Sequence, residues 1–248
     1  MKKDIAVFVT LLLLGVGAVV YPRIQQRIFD THNQVVIMEF EQRMGAYAME
    51  HRQRVAVENG DYDIPLADDP SFWLSNVRQF LSFMNLRLYH EKQEHLVDPF
   101  RYDHPSFNIA PFGLDTDIIG ILTIPAIDMN MPIFLGTSFQ NLHNGVAHLT
   151  HSSFPVGGDS TNAVIAGHRT AYRGRVFSDI EQLVIGDEIT ISNILESMLY
   201  VVVETKIAGP DDIQALAIQS GRDLVTLVTT CTSIRGNRRY IIVAERVG

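Results

Sequence analysis

The chain has 248 residues, of which 46% are hydrophobic and 19% charged, so it carries enough apolar material for a large folded core. This composition excludes a wholly disordered chain and a small disulfide-dependent one. The 20 Lys and Arg residues against 28 Asp and Glu give a net charge of −8, which argues against nucleic acid as a partner. The single cysteine, Cys231, excludes an internal disulfide and a cysteine-based zinc site.

The N-terminus contains an uncharged apolar run, residues 5–21, with Lys2 and Lys3 before it and Arg23 after it. This length is the lower limit for a helix that spans a bilayer. A cleaved signal peptide has the same basic start and apolar stretch, and we favour an uncleaved anchor over it. Both alternatives export the rest of the chain. The sequence therefore predicts that residues 1–23 form an anchor or signal segment of a single-pass membrane protein whose main domain is extracellular.

Two amphipathic helices are predicted between this run and the middle of the chain. In the first, apolar residues recur every three or four residues from Ile37 to Tyr47, and Asn59 and Gly60 end the helix. The second begins with Asp69 as N-cap and Pro70 in its first turn. Its apolar face, which we expect to pack against the next domain, consists of Trp73, Val77, Phe80, Leu81, Met84 and Leu88.

Residues 96–114 are rich in proline and predict a loop. We therefore assign residues 24–114 to a helical appendage that ends in this loop. From residue 115 onwards, short runs of Ile and Val bounded by Gly, Pro, Asn or Asp predict β-strands. These runs are residues 118–124, 133–135, 163–166, 188–192, 199–206, 224–230 and 240–247. So many strands predict a closed barrel or a sandwich over residues 115–248, with the last two runs in the middle of the sheet because both of their faces are apolar.

Three residues with reactive or charged side chains lie at the ends of these strands. Cys231 ends one central strand, Arg239 begins the next, and His168 follows a third, so we expect them to meet at one edge of the sheet. A nearby cation raises the thiolate fraction of a cysteine, which is only about 3% at pH 7 for an ordinary thiol. An imidazole can carry protons, and a guanidinium can stabilise an oxyanion. Arg238 competes with Arg239 for that role, but adjacent strand residues face opposite ways, so at most one points at Cys231.

The histidines do not predict a metal site. His90 and His95 are five residues apart, whereas a helical zinc motif needs a spacing of four. His148 and His151 lie in a predicted loop beside Pro155, and we expect them to be hydrogen-bonded structural residues. The sequence therefore predicts neither a metal nor a cofactor.

Several of these runs resemble the sortases, the membrane-anchored cysteine transpeptidases of mainly Gram-positive cell surfaces. The similarity extends from Gly120 to Arg246, and its most specific parts are Thr229-Thr230-Cys231 with Arg239 downstream, and Ala166-Gly167-His168-Arg169. The resemblance implies a mainly β fold, an eight-stranded barrel with an N-terminal helical appendage and a transmembrane helix. It also implies that Cys231 is the nucleophile, that His168 is the acid/base group, and that Arg239 binds substrate and stabilises the oxyanion. On the same grounds Thr230 is assigned to substrate binding.

The loop ahead of the barrel resembles the lid of class C, the pilus-assembling sortases. Its motif is Asp98-Pro99-Phe100, and the resemblance implies that Asp98 pairs with Arg239 while Phe100 covers Cys231. An exposed ion pair contributes about 0–1 kcal/mol and burial of a Phe about 1.5–3 kcal/mol, so we expect a gate that can open. An ordinary Asp-Pro turn is the alternative.

The chain departs from the class C pattern in two respects. The family run is Thr-Leu-x-Thr-Cys, whereas here Leu227 is followed by Val228-Thr229-Thr230-Cys231, with one additional Thr and a segment to Arg239 that is one residue shorter. We expect a β-bulge at the strand end that keeps the thiol at the active edge. Many class C members also have a second hydrophobic helix near the C-terminus; with none before Gly248, we expect the N-terminal helix alone to anchor the protein.

The resemblance implies acyl transfer in two steps. An Leu-Pro-x-Thr-Gly-like sorting signal on a surface or pilin protein is cleaved between Thr and Gly, which leaves a thioester on Cys231, and an amine then resolves the thioester. For class C the amine is a pilin lysine, whereas a housekeeping sortase uses a cell-wall peptide. A catalytically silent surface assembly module and a simple cysteine protease are the remaining alternatives.

Overall fold

The structure of the chain is a computed structural model that describes residues 2–57, 70–103, 117–169, 176–231 and 237–247. Three helices and eight strands make up its regular structure in these ranges. In chain order they are α1 (Lys2–Val57), α2 (Pro70–His90), β1 (Ile118–Ile124), β2 (Met129–Leu135), α3 (Phe139–Asn144), β3 (Val146–His148), β4 (Thr161–Ala166), β5 (Glu188–Ser192), β6 (Ser197–Ala208), β7 (Asp223–Cys231) and β8 (Arg238–Arg246).

The eight strands form a closed barrel in the order β1-β2-β3-β4-β7-β8-β6-β5, which confirms the predicted fold. The barrel closes because β1 pairs antiparallel with both β2 and β5. The predicted bounds of β1 and β5 agree with the structure. Strand β3 was not predicted from its own residues, because three residues are too few to show an alternating pattern.

Strands β7 and β8 are buried on both faces, as their apolar composition indicates. One face of each strand points into the barrel, where Val225 and Leu227 pack with Ile242 and Ala244. The other face is also buried, because a second apolar cluster covers it from outside. That cluster consists of Leu96, Leu149, Val164, Ala208, Leu216, Leu224, Val228, Ile241 and Val243, with Phe100 packed against it.

Helix α2 packs on the barrel through the predicted apolar face. Val77 and Leu81 are buried in the core of the barrel, while the side chain of Trp73 lies outside the described residues. Asn85 fixes the helix further, since its amide donates to the carbonyl of Phe154 at 3.0 Å and accepts from the amide of Phe154 at 2.7 Å. One buried side chain thus satisfies both backbone groups of a loop residue.

The N-terminal apolar run and the first amphipathic helix are one continuous helix, α1, with Pro22 inside it. Its early residues are exposed and apolar, from Val9 to Tyr21, whereas Phe29, Ile37 and Phe40 are buried against the rest of the protein. The described part of α1 contains one segment, Val9–Arg43, that is long and apolar enough to cross a membrane. The predicted helix end at Asn59 and Gly60 lies outside the described residues.

The loop predicted over residues 96–114 is described as far as residue 103. Within it, Pro99–Arg101 form one short 3₁₀ turn, which begins after Asp98 and ends at Tyr102 in the left-handed conformation. The segment before this turn is tied down by Gln93, whose side chain donates to the carbonyl of His151 and accepts from the amide of Ile218. The chain therefore enters the 3₁₀ turn from a fixed position on the barrel.

Candidate active site

The candidate residues lie at the same end of three adjacent strands, β4, β7 and β8. Cys231 is the last residue of β7, and Arg239 is the second residue of β8. His168 follows β4 by two residues, and the parallel pairing of Ala166 with Val228 places it level with the end of β7. The strand order and register therefore place the three residues at the same end of the barrel, as the sequence predicts.

The backbone of His168 is held by several neighbours. The amide of Gly167 donates to the carbonyl of Val228 at 3.1 Å, and the hydroxyl of Thr229 donates to the carbonyl of Gly167 at 2.8 Å. The amide of Phe177 donates to the carbonyl of His168 at 2.9 Å. A Cβ atom at Gly167 would lie 2.7 Å from the ring of Phe177, so only glycine fits directly before His168.

Arg239 forms a bidentate ion pair with Asp98. Its Nε and Nη2 atoms donate to the two carboxylate oxygens of Asp98 at 2.6 and 2.7 Å, and Nη1 donates to Oδ1 of Asn237 at 2.7 Å. The two charged side chains are only 5% and 6% exposed, whereas we expected an exposed pair. The expectation was wrong because the sequence does not show that Phe100, which packs on the outer apolar cluster, also lies over Arg239.

Phe100 lies over the charged group and beside the imidazole. The Cζ atom of Arg239 is 4.8 Å from the centre of its ring, within the range of a cation–π contact. The rings of Phe100 and His168 are 5.5 Å apart between their centres. The predicted lid residues thus lie against Arg239 and His168 in this structure.

The pKa of His168 is lowered from its usual value, first because burial disfavours the imidazolium and second because His143 lies nearby as another potential cation. His143 stacks on Phe139 of α3, and Tyr102 contacts both Phe139 and His168. None of Tyr102, Phe139 or His143 was predicted as a site residue. They come from three separate segments, and only the fold shows that these segments meet.

Cys231 is 6% exposed and belongs to a regular ladder. Strand β7 pairs with β8 without a register shift in the described residues, so Cys231 lies opposite Arg238 and Thr230 lies opposite Arg239. The predicted bulge before the thiol is therefore wrong. The additional Thr is accommodated as an ordinary paired residue of the ladder.

The structure assigns His148 to β3 and not to a loop, which corrects its predicted location. Its Nε2 atom lies 2.9 Å from the carbonyl of Ser153 and 3.2 Å from the hydroxyl of Ser152, so the expected hydrogen-bonded role is confirmed. Burial lowers the pKa of His148 to about 4. Within the described ranges, no group of three or more His, Cys, Asp and Glu side chains is arranged to hold a metal ion.

Comparison with known proteins gives one consistent family. Sortase A of Bacillus anthracis is 29% identical to this chain over 163 residues, covering 64% of this chain and 75% of that protein. Sortase D of Bacillus subtilis strain 168 is 35% identical over 145 residues, covering 56% of this chain and 70% of that protein. Among solved structures, sortase C of Streptococcus pneumoniae matches with a TM-score of 0.68 at 25% identity, covering 86% of this chain and 96% of that one.

The sequence profile of the family described as "Sortase domain" matches residues 122–247, which is just over half of the chain. The match contains the whole edge formed by β4, β7 and β8, with a cysteine, a histidine and an arginine at the strand ends. The fold and this match agree, and the class C sortases are among the structural neighbours. The chain therefore belongs to the sortase family and is a cysteine transpeptidase by family.

Proposed function

We propose that the protein cleaves an Leu-Pro-x-Thr-Gly-like sorting signal between Thr and Gly and transfers the acyl group to an amine. Cys231 is the nucleophile, His168 the acid/base group and Arg239 the oxyanion-stabilising group. The observation that supports this proposal is that the three residues lie at the ends of the adjacent strands β4, β7 and β8, where Asp98 pairs with Arg239 and Phe100 contacts both Arg239 and His168.

In the first step the sulfur of Cys231 attacks the carbonyl carbon of the Thr residue in the signal. His168 takes the proton of the thiol, the peptide C–N bond breaks, His168 passes that proton to the departing amine of Gly, and a thioester remains on Cys231. Arg239 donates hydrogen bonds to the carbonyl oxygen as negative charge develops there. Thr230, which lies opposite Arg239, contacts the peptide on the same face.

Asp98 is a competitor for these donors. Its carboxylate occupies two of the guanidinium N–H groups that the oxyanion would use, in a bidentate geometry that favours charged oxygens. The lid must therefore release Arg239 before acylation. Closure also disfavours protonated His168, because burial lowers the pKa of the imidazole.

The acceptor amine that we propose is a lysine of another pilin subunit, so that repeated transfer builds a fibre. Two observations support class C over a housekeeping enzyme. The Asp98–Arg239 contact joins the loop ahead of the barrel to the site, and the likeness to pneumococcal sortase C covers 86% of the chain. Since β1 begins at Ile118, a match of that extent includes helical residues before the barrel.

The proposed location is the cell membrane, with α1 as the single spanning helix and the barrel outside the cell. Exposed apolar side chains from Val9 to Tyr21 supply the lipid-facing surface. We propose the same division of the chain as the sequence predicts, with an anchor over residues 1–23, a helical appendage with its lid over residues 24–114 and a catalytic barrel over residues 115–248.

The test is to incubate the protein with a sorting-signal peptide and to measure its intact mass. We expect a thioester-sized increase on Cys231 that hydroxylamine removes, and no increase in Cys231→Ala. A lysine-bearing pilin domain and a cell-wall peptide are then offered as competing amines. Preferential joining to the pilin lysine supports the class C function, preferential joining to the wall peptide supports the housekeeping alternative, and no adduct with any sorting peptide contradicts the proposal.

A further inference from the structure

Two exposed aromatic side chains lie beside the imidazole of His168. Phe139 is 64% exposed and Tyr102 is 42% exposed, and their ring centres are 5.7 Å apart. Of the two described phenyl or phenol rings that contact His168, Phe100 packs on the outer apolar cluster, whereas Tyr102 faces solvent. Adjoining exposed rings beside a proposed catalytic group are typical of a ligand-binding surface.

The barrel holds the helix that carries Phe139. The side-chain amide of Asn141, two residues further in α3, donates to the carbonyls of Leu135 and Gly136 at 2.8 and 2.9 Å. Leu142 of the same helix is fully buried. Phe139 therefore projects from a fixed part of the protein and stays in place when the lid moves.

Tyr102, in contrast, belongs to the lid. It ends the 3₁₀ turn that follows Asp98, and its ring centre lies 6.2 Å from that of His168. Release of Arg239 requires Asp98 to move, and Tyr102 is only four residues further along the chain, so it has to move as well. The closed lid thus covers part of the surface of Phe139 in addition to the guanidinium.

The place that Tyr102 leaves suits a cation with an apolar stem. An ammonium group there would lie within about 6 Å of the ring centre of Phe139, the range of a cation–π contact, and beside the imidazole of His168. The closed site already contains a contact of this kind, since Arg239 lies over the ring of Phe100. The methylene stem of a lysine packs well on apolar rings while its charged end stays hydrated.

We propose that Phe139 is the acceptor-binding residue of this enzyme, and that it receives the ammonium group and stem of a lysine on an acceptor protein once Tyr102 has moved away. The ring of His143 supports it, because the two rings are stacked with centres 6.0 Å apart and planes inclined by 19°. This inference rests on the proposed function and identifies the surface that selects the amine.

The location beside His168 fits the second chemical step. Burial and the neighbouring His143 both favour the neutral imidazole, which is the form that accepts a proton. After the bound ammonium gives a proton to His168, the free amine attacks the thioester carbonyl, and the C–N bond forms as the C–S bond breaks. Of the two protons that the ammonium loses, one stays with the sulfur of Cys231 and the other passes through His168 to solvent.

The first test compares two acceptors on the same thioester. The full chain in detergent is loaded with a sorting-signal peptide, and the thioester is resolved either by Nα-acetyl-lysine amide or by hydroxylamine, which is uncharged at neutral pH and has no stem. In Phe139→Leu the ratio of the lysine rate to the hydroxylamine rate should fall about three- to tenfold, because the apolar bulk is kept while the cation–π contact is lost.

Two further variants show whether the ring itself matters. Phe139→Trp keeps an aromatic face and should retain the ratio of the unaltered protein. Phe83→Leu is the matched control, since Phe83 is a phenylalanine of α2 that is 59% exposed. It should leave the ratio unchanged.

A second test measures binding and needs no reaction. A peptide with trimethyl-lysine keeps the positive charge but cannot accept an acyl group, and a peptide with norleucine keeps the stem without the charge. In NMR titrations of Asp98→Ala, in which the lid contact is removed, the trimethyl-lysine peptide should bind at least threefold more tightly and shift the ring resonances of His143. The difference should disappear when Phe139→Leu is added.

The inference is overturned when Phe139→Leu leaves the acceptor ratio unchanged, or when the two peptides bind equally well. It is also overturned when Phe139→Leu slows resolution by a cell-wall peptide amine but not resolution by lysine. Absence of a thioester with any sorting peptide contradicts the proposed function alone, since the peptide titration then still decides whether Phe139 binds an ammonium side chain.

Discussion

An arginine forms ion pairs with carboxylates at each end of the β7–β8 pair. The two arginines differ in solvent exposure and in the number of their carboxylate partners. At the end opposite the lid, Arg246 contacts Asp223 and Glu196 at 3.4 and 3.0 Å, and its side chain is 30% exposed. At the lid end, Arg239 pairs with Asp98 alone among carboxylates in the described residues, and the pair is almost fully buried. Asp98 directly precedes a 3₁₀ turn and lies 141 positions before Arg239 in the chain.

This difference separates a structural network from a releasable contact. Around Arg246 the carboxylates have further partners, since Asp223 also accepts from the amide of Gly158 and from Thr161, and Glu196 also pairs with Arg78. Loss of one member leaves the others paired and partly hydrated. Around Arg239, loss of Asp98 leaves a buried guanidinium, which favours movement of the lid into solvent.

The largest expected effect is on catalysis and concerns the arginine at each end. Arg239→Ala should lower kcat/KM for a sorting peptide by roughly a hundredfold or more, because removal of one oxyanion donor typically costs about 2.7–4 kcal/mol. Arg246→Ala is the matched control, with near-normal kcat/KM and a Tm lower by about 2–4 °C. Near-normal turnover in Arg239→Ala would remove this residue from the mechanism and would make the two ends equivalent.

The second largest expected effect is on the stability of the protein and concerns His148, which lies in β3 and not at either end of the β7–β8 pair. The pKa of His148 is about 4 in the folded protein against 6.5 for an exposed histidine, so the unfolded chain binds more protons between these values. Stability is therefore retained above about pH 6.5 and should fall by about 3 kcal/mol as the pH decreases to 4. Urea unfolding at several pH values measures this loss.

The variant His148→Gln removes this titration and should flatten the pH dependence of unfolding between pH 6.5 and 4. His151→Gln is the control, because it changes a histidine only three residues further along the chain and should leave the slope in place. An unchanged slope in His148→Gln would assign the acid sensitivity to other groups, with the lid end as the first candidate.

The smallest expected effect concerns the lid. Asp98→Ala should increase the rate of thioester formation about tenfold, because a closure free energy of about 1.4 kcal/mol is a factor of ten in the open population. Asp211→Ala is the matched control. Asp211 forms a solvent-exposed ion pair at 3.7 Å with Arg101, which lies in the 3₁₀ turn directly after Asp98. It should leave the rate unchanged.

The same lid variant should raise the pKa of His168 towards its usual value, since less burial removes the largest cause of its depression. By linkage, protonation of His168 opposes closure, so the lid of the unaltered protein should open more as the pH falls. NMR titration of the imidazole in both proteins measures the shift. Equal titration curves would show that the lid does not determine the environment of His168.

The barrel was predictable because its strands are defined by local pattern. Strands β1 and β5 are bounded by turn residues and agree with the predicted ranges, and the apolar composition of β7 and β8 agrees with their burial on both faces. The sequence also predicted which residues reach the shared edge. These features depend on residues that are close together in the chain, so the sequence pattern is sufficient to predict them.

Other features depend on segments that are far apart in the chain. The burial of the Asp98–Arg239 pair requires Phe100 and the outer cluster, and the environment of His168 requires His143 and Tyr102. The register that places Thr230 opposite Arg239 is a property of the pairing of β7 with β8, and the count of residues before the cysteine did not reveal it. The sequence prediction also divided α1 into an anchor and a separate helix, whereas the helix is continuous through Pro22.

Because α1 is one continuous helix, it is a rigid connection of fixed length between its apolar N-terminal part and the barrel. Between Tyr21, at the end of the apolar stretch, and Phe29, the first buried residue of α1, the helix rises only about 12 Å at 1.5 Å per residue. A flexible tether would let the barrel sample many heights above the lipid, whereas a rigid one holds it at a single height and tilt. With α1 as the proposed membrane anchor, the proposed active site would receive only those chains whose cleavage point lies at a matching distance from the bilayer.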